Sequence, residues 1–321
     1  MPAVREAGAL TTGDTAPAPD DRKRRRRRSA APYLFILPAV VLYLGFTVVP
    51  VGYTLVSSFF AQRLAGGSVL GIKKTVFVGL ENYLDVLTDG SLPAGIGRVL
   101  RYGVIAVPVT LGLALLFALV LDAPGARARR FSRIAIFVPY AVPGVVGALM
   151  WGFMYLPATS PFSYLTGKLG WGAVPFLEPT GVYGALANIS VWGGVGFNML
   201  VIYTALRGIS PELLEAARLD GAGEVQIALR IKIPLVVPAL VLTGIYGVLG
   251  ALQLYGEPLT LKPLSTAISE TWAPLMTIYR DAFTLDNLPA AAAASVVIAI
   301  GTALVTLVVL AVARYVRRRN V

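Results

Sequence analysis

The chain has 321 residues, 56% of them hydrophobic and only 14% charged, with a mean hydropathy of +0.72 that no water-soluble globular domain of this size tolerates, so a membrane protein is expected. It contains no histidine and no cysteine, which excludes disulfide frameworks, thiol nucleophiles, imidazole bases and the common zinc sites. A formal net charge of +11 would suit nucleic acid, but the basic residues sit at the chain ends and in short loops between apolar runs, the distribution that sets membrane topology rather than a nucleic-acid surface.

Residues 1–31 are rich in Ala, Thr, Pro and Asp and end in a basic run from Arg22 to Arg28. They read as a disordered cytosolic tail ahead of a transmembrane domain over 32–321. The apolar stretch that follows is too long for the core of a signal peptide and is read as a retained anchor. Six stretches are long enough to span a bilayer at about 1.5 Å per residue: 33–60, 102–121, 134–156, 184–206, 235–254 and 290–313. The gaps after the second and fourth hold Arg127, Arg129, Arg130 and Arg133, then Arg207, Arg218, Arg230 and Lys232. The tail holds Arg314, Arg317, Arg318 and Arg319. With an even number of spans these place both termini on the cytoplasmic side of the cell membrane. The gap 61–101 carries Arg63, Lys73, Lys74, Arg98 and Arg101 against this pattern, but its length dilutes them. Within it, Leu80, Tyr83, Leu84 and Leu87 fall on one helical stripe with Glu81, Asp85 and Asp89 opposite, which predicts a short amphipathic helix lying on the outer face.

None of the six stretches contains an Asp, Glu, Lys or Arg. Proton-coupled carriers keep ionisable groups at membrane depth, so if this chain moves a solute, its energy enters elsewhere. There is no phosphate-binding loop either; the Gly167-Lys168 pair is followed by Leu169. ATP and magnesium would have to bind a different polypeptide, and no cofactor, metal or catalytic residue is expected on this one. Polar and aromatic residues punctuate the spans: Tyr140 and Trp151 in the third, Asn188, Trp192 and Asn198 in the fourth, Tyr246 and Gln253 in the fifth. They read either as interhelical hydrogen bonds and interfacial belts or as a path for an uncharged, hydroxyl-rich solute. Tyr140, Trp192, Asn198, Tyr246 and Gln253 are the candidate path residues. Pro139 and Pro143 open the third span, and either break the helix there or mark its start.

The cytoplasmic segment 207–234 begins GISPELLEAARLDGAG. Ser210 is a favoured N-cap, Pro211 suits the first helical position, Glu212 suits the positive helix end, and Gly221 supplies a left-handed stop. The resulting helix, about 15 Å long, is too short to be stable alone and has to dock on something. Ala216 and Ala217 leave a smooth surface; Glu215, Arg218 and Asp220 can form ion pairs.

The spacing Glu215-Ala216-Ala217, then Gly221, then Ile231-Lys232-Ile233-Pro234 resembles the EAA-x3-G-x9-I-x-L-P signature of ABC importer permeases, departing only at Ile233. VGLENYLDVL, FVPYAVPGVVGALMW and IYRDAFTLDNLPAAAAAS look like segments of the carbohydrate-uptake members, and Asp220 before Gly221 fits their form of the motif. QLYGEPLTL, residues 253–261, stands where many relatives carry a Gly-Gly-Pro loop. The resemblance implies an all-α integral membrane protein of six transmembrane helices with the type I ABC importer permease fold. It implies a second permease as heterodimer partner, a cytoplasmic ABC ATPase dimer, an extracellular solute-binding protein, and a sugar or related polyol as cargo. Glu215 would contact the ATPase, Ala216 and Ala217 would pack against it, and Gly221 would form the turn. A self-contained facilitator or channel is the alternative. An integral-membrane enzyme would have to use the external acids Glu178, Glu257, Glu270, Asp281 and Asp286.

Overall fold

The computed structural model describes residues 31–64 and 73–319; the expected basic tail lies outside them up to residue 30. The chain divides into two units, 1–50 and 51–321. The first contains α1 (Ala31–Tyr43), a π turn at Leu44–Val48 and the start of α2 (Val49–Ser57). The π turn has a local cause. Pro50 has no N–H and its ring crowds the carbonyl four residues earlier, and immediately before it Val49 N–H bonds to Leu44 O, one residue further back than in an α-helix.

The second unit continues with an antiparallel ribbon, β1 (Phe60–Leu64) and β2 (Lys73–Phe77), in register Phe60 to Phe77. The expected first span therefore ends as helix at Ser57, and its last residue is already strand. The predicted amphipathic helix is α3 (Glu81–Thr88), but its buried face differs from the leucine stripe. Leu80, Leu84 and Leu87 are exposed, while Asn82 and Val86 are buried. Asn82 Nδ2 donates to Ser58 O at 2.8 Å and Phe60 O at 2.7 Å. Those two bonds satisfy carbonyls left open where helix passes into strand, which outweighs the apolar pattern.

α4 (Ser91–Asp122) is 32 residues long and extends well before the apolar window 102–121. Arg98, in that extension, donates to the carbonyls of Thr271 and Trp272 at 2.9 and 3.3 Å. The third expected span is not one straight helix. α5 (Arg129–Phe137) passes through a 3-10 turn at Val138–Ala141 into α6 (Gly144–Tyr155), bent by 95°. Pro139 sits in the 3-10 turn and Val142, preceding Pro143, is extended at ψ 128°, as steric pressure from the following proline ring favours. α7 (Pro161–Lys168), α8 (Val182–Arg207), α9 (Pro211–Leu219), α10 (Glu224–Ile227), α11 (Ile233–Leu252), α12 (Gly256–Leu261), α13 (Pro274–Tyr279) and α14 (Leu288–Arg319) complete the chain. Counting the bent pair as one, the described residues hold six candidate spans.

α4 and α8 are the central pair, with α11 against both. Near α9, Ala114, Ala118 and Leu121 pack with Met199, Ile202, Leu206 and Val236; at the other end Val99, Tyr102 and Ala106 pack with Ala185, Leu186 and Ile189. Small residues set the spacing, as expected where lipid supplies no hydrophobic drive between helices. A close approach within the bundle is at Gly196, where an added Cβ would lie 2.3 Å from Ile136 O and 2.7 Å from Phe137 Cα. Because backbone cannot rotate aside, Gly196→Ala is expected to destabilise the protein by about 1–3 kcal/mol. Gly184→Ala on the same helix meets nothing within 4 Å and should be neutral or stabilising; thermal melts in detergent compare the two.

Candidate functional site

Two places bring polar residues together. The first is the segment between α8 and α11. In α9, Pro211 occupies the first turn, and the Ser210 hydroxyl bonds to the Glu212 carboxylate instead of a backbone amide. That bond, with Glu212's own N–H, holds the Glu212 carboxyl below its usual range. Gly221 sits at φ 83°. Ala222 N–H bonds to Ala217 O and Gly221 N–H to Arg218 O, each at 3.0 Å, a Schellman closure that requires the left-handed residue. Arg218 turns back to Glu224, Nε to Oε1 2.8 Å, and this bond raises the arginine pKa further.

α9 buries none of its own residues. Leu213 is 46% and Leu219 89% exposed; Glu215 and Ala216 are exposed and Ala217 half-buried. Among the described residues, Glu215 and Asp220 have no ion-pair partner. After α10 the chain passes through a second π turn, Ala228–Lys232, closed by Ile233 N–H to Ala228 O just before Pro234. Ile231 is partly buried within it and Pro234 is exposed at the start of α11.

At the foot of this segment Lys232 Nζ lies 2.6 Å from Asp122 Oδ2, with side chains only 5% and 7% exposed. Arg207 approaches the other oxygen of Asp122 at 3.9 Å. One carboxylate at the end of α4 thus joins the end of α8 and the start of α11, the two ends of the α9 segment. Sequence reasoning used Arg207 and Lys232 only as topology markers and missed Asp122. The available signal was a lone acid closing a long apolar run.

The second place is a cavity of about 520 Å³ bounded by α4, α8, α11 and the break between α5 and α6. Of the candidate path residues, Tyr140, Trp192, Asn198 and Gln253 line it. Tyr140 stacks on Phe197 at 5.0 Å, and Trp192 meets Trp151 edge-on at 6.0 Å. Tyr246 does not line it and is 61% exposed: α11 turns Thr243, Gly247 and Gly250 to the cavity, and Tyr246 lies about 100° round the helix from Gly247. Asn188 is outside the lining and donates to Tyr155 Oη at 2.8 Å. Sequence reasoning missed Tyr102 and Ser190, whose hydroxyls meet at 2.5 Å, and placed Glu257 only among the external acids, whereas it lines the cavity. Of the other external acids, Glu270 pairs with Lys262 at 2.7 Å and Asp281 with Arg280 at 2.6 Å. The Lys262 bond holds the Glu270 carboxyl below its usual range.

Residues 110–321 match the family model described as binding-protein-dependent transport system inner membrane component. The chain is 28% identical over 271 residues to the sn-glycerol-3-phosphate transport system permease protein UgpA of Salmonella typhimurium, covering 83% of this chain and 88% of that one. It is 29% identical over 218 residues to the probable ABC transporter permease protein y4oQ of Sinorhizobium fredii, covering 68% and 69%. Among solved structures, a bacterial ABC transporter involved in the import of the acidic polysaccharide alginate matches with a TM-score of 0.75 at 20% identity, over 89% of this chain and 95% of that one.

Proposed function

The chain belongs to the family of binding-protein-dependent transport system inner membrane components, and from that premise we propose that it is one of two permease subunits of an ATP-driven importer for a sugar or related polyol, with α9 receiving the motion of a cytoplasmic ATPase dimer. The observation that carries the coupling role is the exposure of α9. Nine residues long, it buries none of them, and a helix of that length is not stable on its own in water, so a partner surface completes it. Glu215 is the charged contact, Ala216 and Ala217 permit close approach, and Gly221 with Arg218 fixes the turn through which a push on α9 reaches α11. The Asp122–Lys232 pair carries the same displacement to α4. An extracellular binding protein delivers the solute, and both termini lie in the cytoplasm.

The polyol reading draws on the cavity and on the relatives. Amides, hydroxyls and aromatic faces bind hydroxyl-rich solutes by hydrogen bonding and by stacking on C–H faces. The relative UgpA is named for sn-glycerol-3-phosphate, whose glycerol part carries two hydroxyls beside an anionic phosphate. A facilitator or channel would leave the unpartnered α9 without a purpose.

The chain's lack of cysteine makes the coupling role testable. Glu215→Cys, in the importer assembled with its ATPase, is expected to be joined to ATPase lysines by a bifunctional maleimide–succinimidyl ester, which alkylates the thiol and acylates the amine, and to be shielded from a bulky monofunctional maleimide. Equal maleimide reactivity with and without the ATPase would remove α9 from the interface.

A further inference from the structure

We propose that the cavity between α4, α8 and α11 admits solutes without negative charge and repels anions, and that Glu257 sets this selection. The proposal deepens the polyol reading above and rests on it for the hydroxyl-rich part of the solute. Among the described residues lining the cavity, Glu257 is the only side chain that is charged at neutral pH; no Lys or Arg lines it. Glu257 is partly buried, and its carboxylate has no hydrogen-bond or ion-pair partner among the described residues. Its position is fixed from beneath, since Pro258 and Leu261 on the same short helix are fully buried.

Recognition of a phosphate or carboxylate needs a cation or free N–H donors aimed at it. The cavity offers no cation: one Asn198 N–H is taken by Gly194 O at 2.8 Å and the Tyr102 hydroxyl donates to Ser190, so the donors that remain, on Gln253 and Trp192 among others, are neutral and suit hydroxyls as well as anions. An unpaired carboxylate does the reverse. It accepts hydrogen bonds from vicinal hydroxyls or from an ammonium group, and in a partly desolvated cavity it disfavours a like charge about 10 Å away by about tenfold or more. Gln253 lines the same cavity and can share a diol with Glu257, while Tyr140 and Trp192 offer ring faces. The cargo class that fits is an uncharged sugar or sugar alcohol, or an amino sugar.

The charge selection can be read without knowing the cargo. Ser190→Cys and Asn198→Cys, two cavity positions, are each placed in the assembled importer in membrane vesicles, and labelling of this chain is followed with a cationic and an anionic methanethiosulfonate. Relative to a free thiol, the cationic reagent is expected to react about tenfold faster than the anionic one. That preference should collapse when Glu257→Gln is added. Trp171→Cys, 78% exposed and outside the cavity lining, should keep its ratio in the same background. No charge preference at either cavity position, or a preference that survives Glu257→Gln, overturns the proposal. In parallel, uptake by the complete importer is measured with sorbitol, glucosamine and glucose 6-phosphate, where Glu257→Lys is expected to raise the share of the phosphorylated sugar. Failure of all three sugars with the thiol preference intact rejects the polyol reading and leaves the charge selection standing.

Discussion

Lys232→Met is expected to destabilise the protein by about 3–5 kcal/mol, because it strands the Asp122 carboxylate in a site only 7% exposed. Asp122→Leu alone should cost a comparable amount by stranding the ammonium. The double variant should recover most of the loss, since removing both charges also removes the cost of desolvating them. Arg207 does not alter this expectation: it stands 3.9 Å from Asp122 with its side chain 61% exposed and can be solvated. Chemical or thermal unfolding of the three variants in detergent gives the coupling energy. Additive single losses would mean that the pair contributes nothing as a pair.

Gly221→Val is expected to reduce ATP-driven uptake by at least about tenfold while leaving the transmembrane core intact. A β-branched residue at φ 83° pays a steric penalty of about 1–2 kcal/mol, and the least disruptive escape is to open the Schellman turn. That would re-aim α9 and release the Arg218–Glu224 bond at 2.8 Å. Gly221→Asn should retain most activity, because asparagine tolerates the left-handed region. Glu215→Lys is expected to lower uptake with no change in melting temperature, since the side chain is exposed and makes no internal ion pair among the described residues. Uptake and melting measured on the same preparations separate a loss of coupling from a loss of folding.

The membrane class was legible because hydropathy acts locally, and Pro139 and Pro143 marked where the helix is interrupted, though a break and a helix start read alike until the 95° bend is seen. The short helix was legible for the same reason: Pro211 and Gly221 mark its ends whatever lies around them. The face of α3 was not legible. Its docking is decided by Asn82 reaching two carbonyls more than twenty residues earlier, a non-local bond that outweighs a leucine stripe. That Tyr246 stands outside the cavity lining was not legible, because α11 is apolar on every side, and such a helix carries no stripe to show which face is enclosed. Glu257 was placed only by the span it follows, and its position on the cavity lining is visible only in the fold. Asp122 closes α4 in sequence, but its partner is 110 residues away, beyond any pattern of spacing.

Whether this permease moves solute only when an ATPase acts through α9 is read in proteoliposomes holding the complete importer with the solute-binding protein outside. Uptake of labelled solute against its gradient is measured with and without ATP on the ATPase side, for the wild type and for Glu215→Lys. Coupling through α9 predicts uptake that needs both ATP and the binding protein and that falls sharply in the variant. Downhill uptake without ATP, unchanged by Glu215→Lys, would contradict it and make the chain a facilitator.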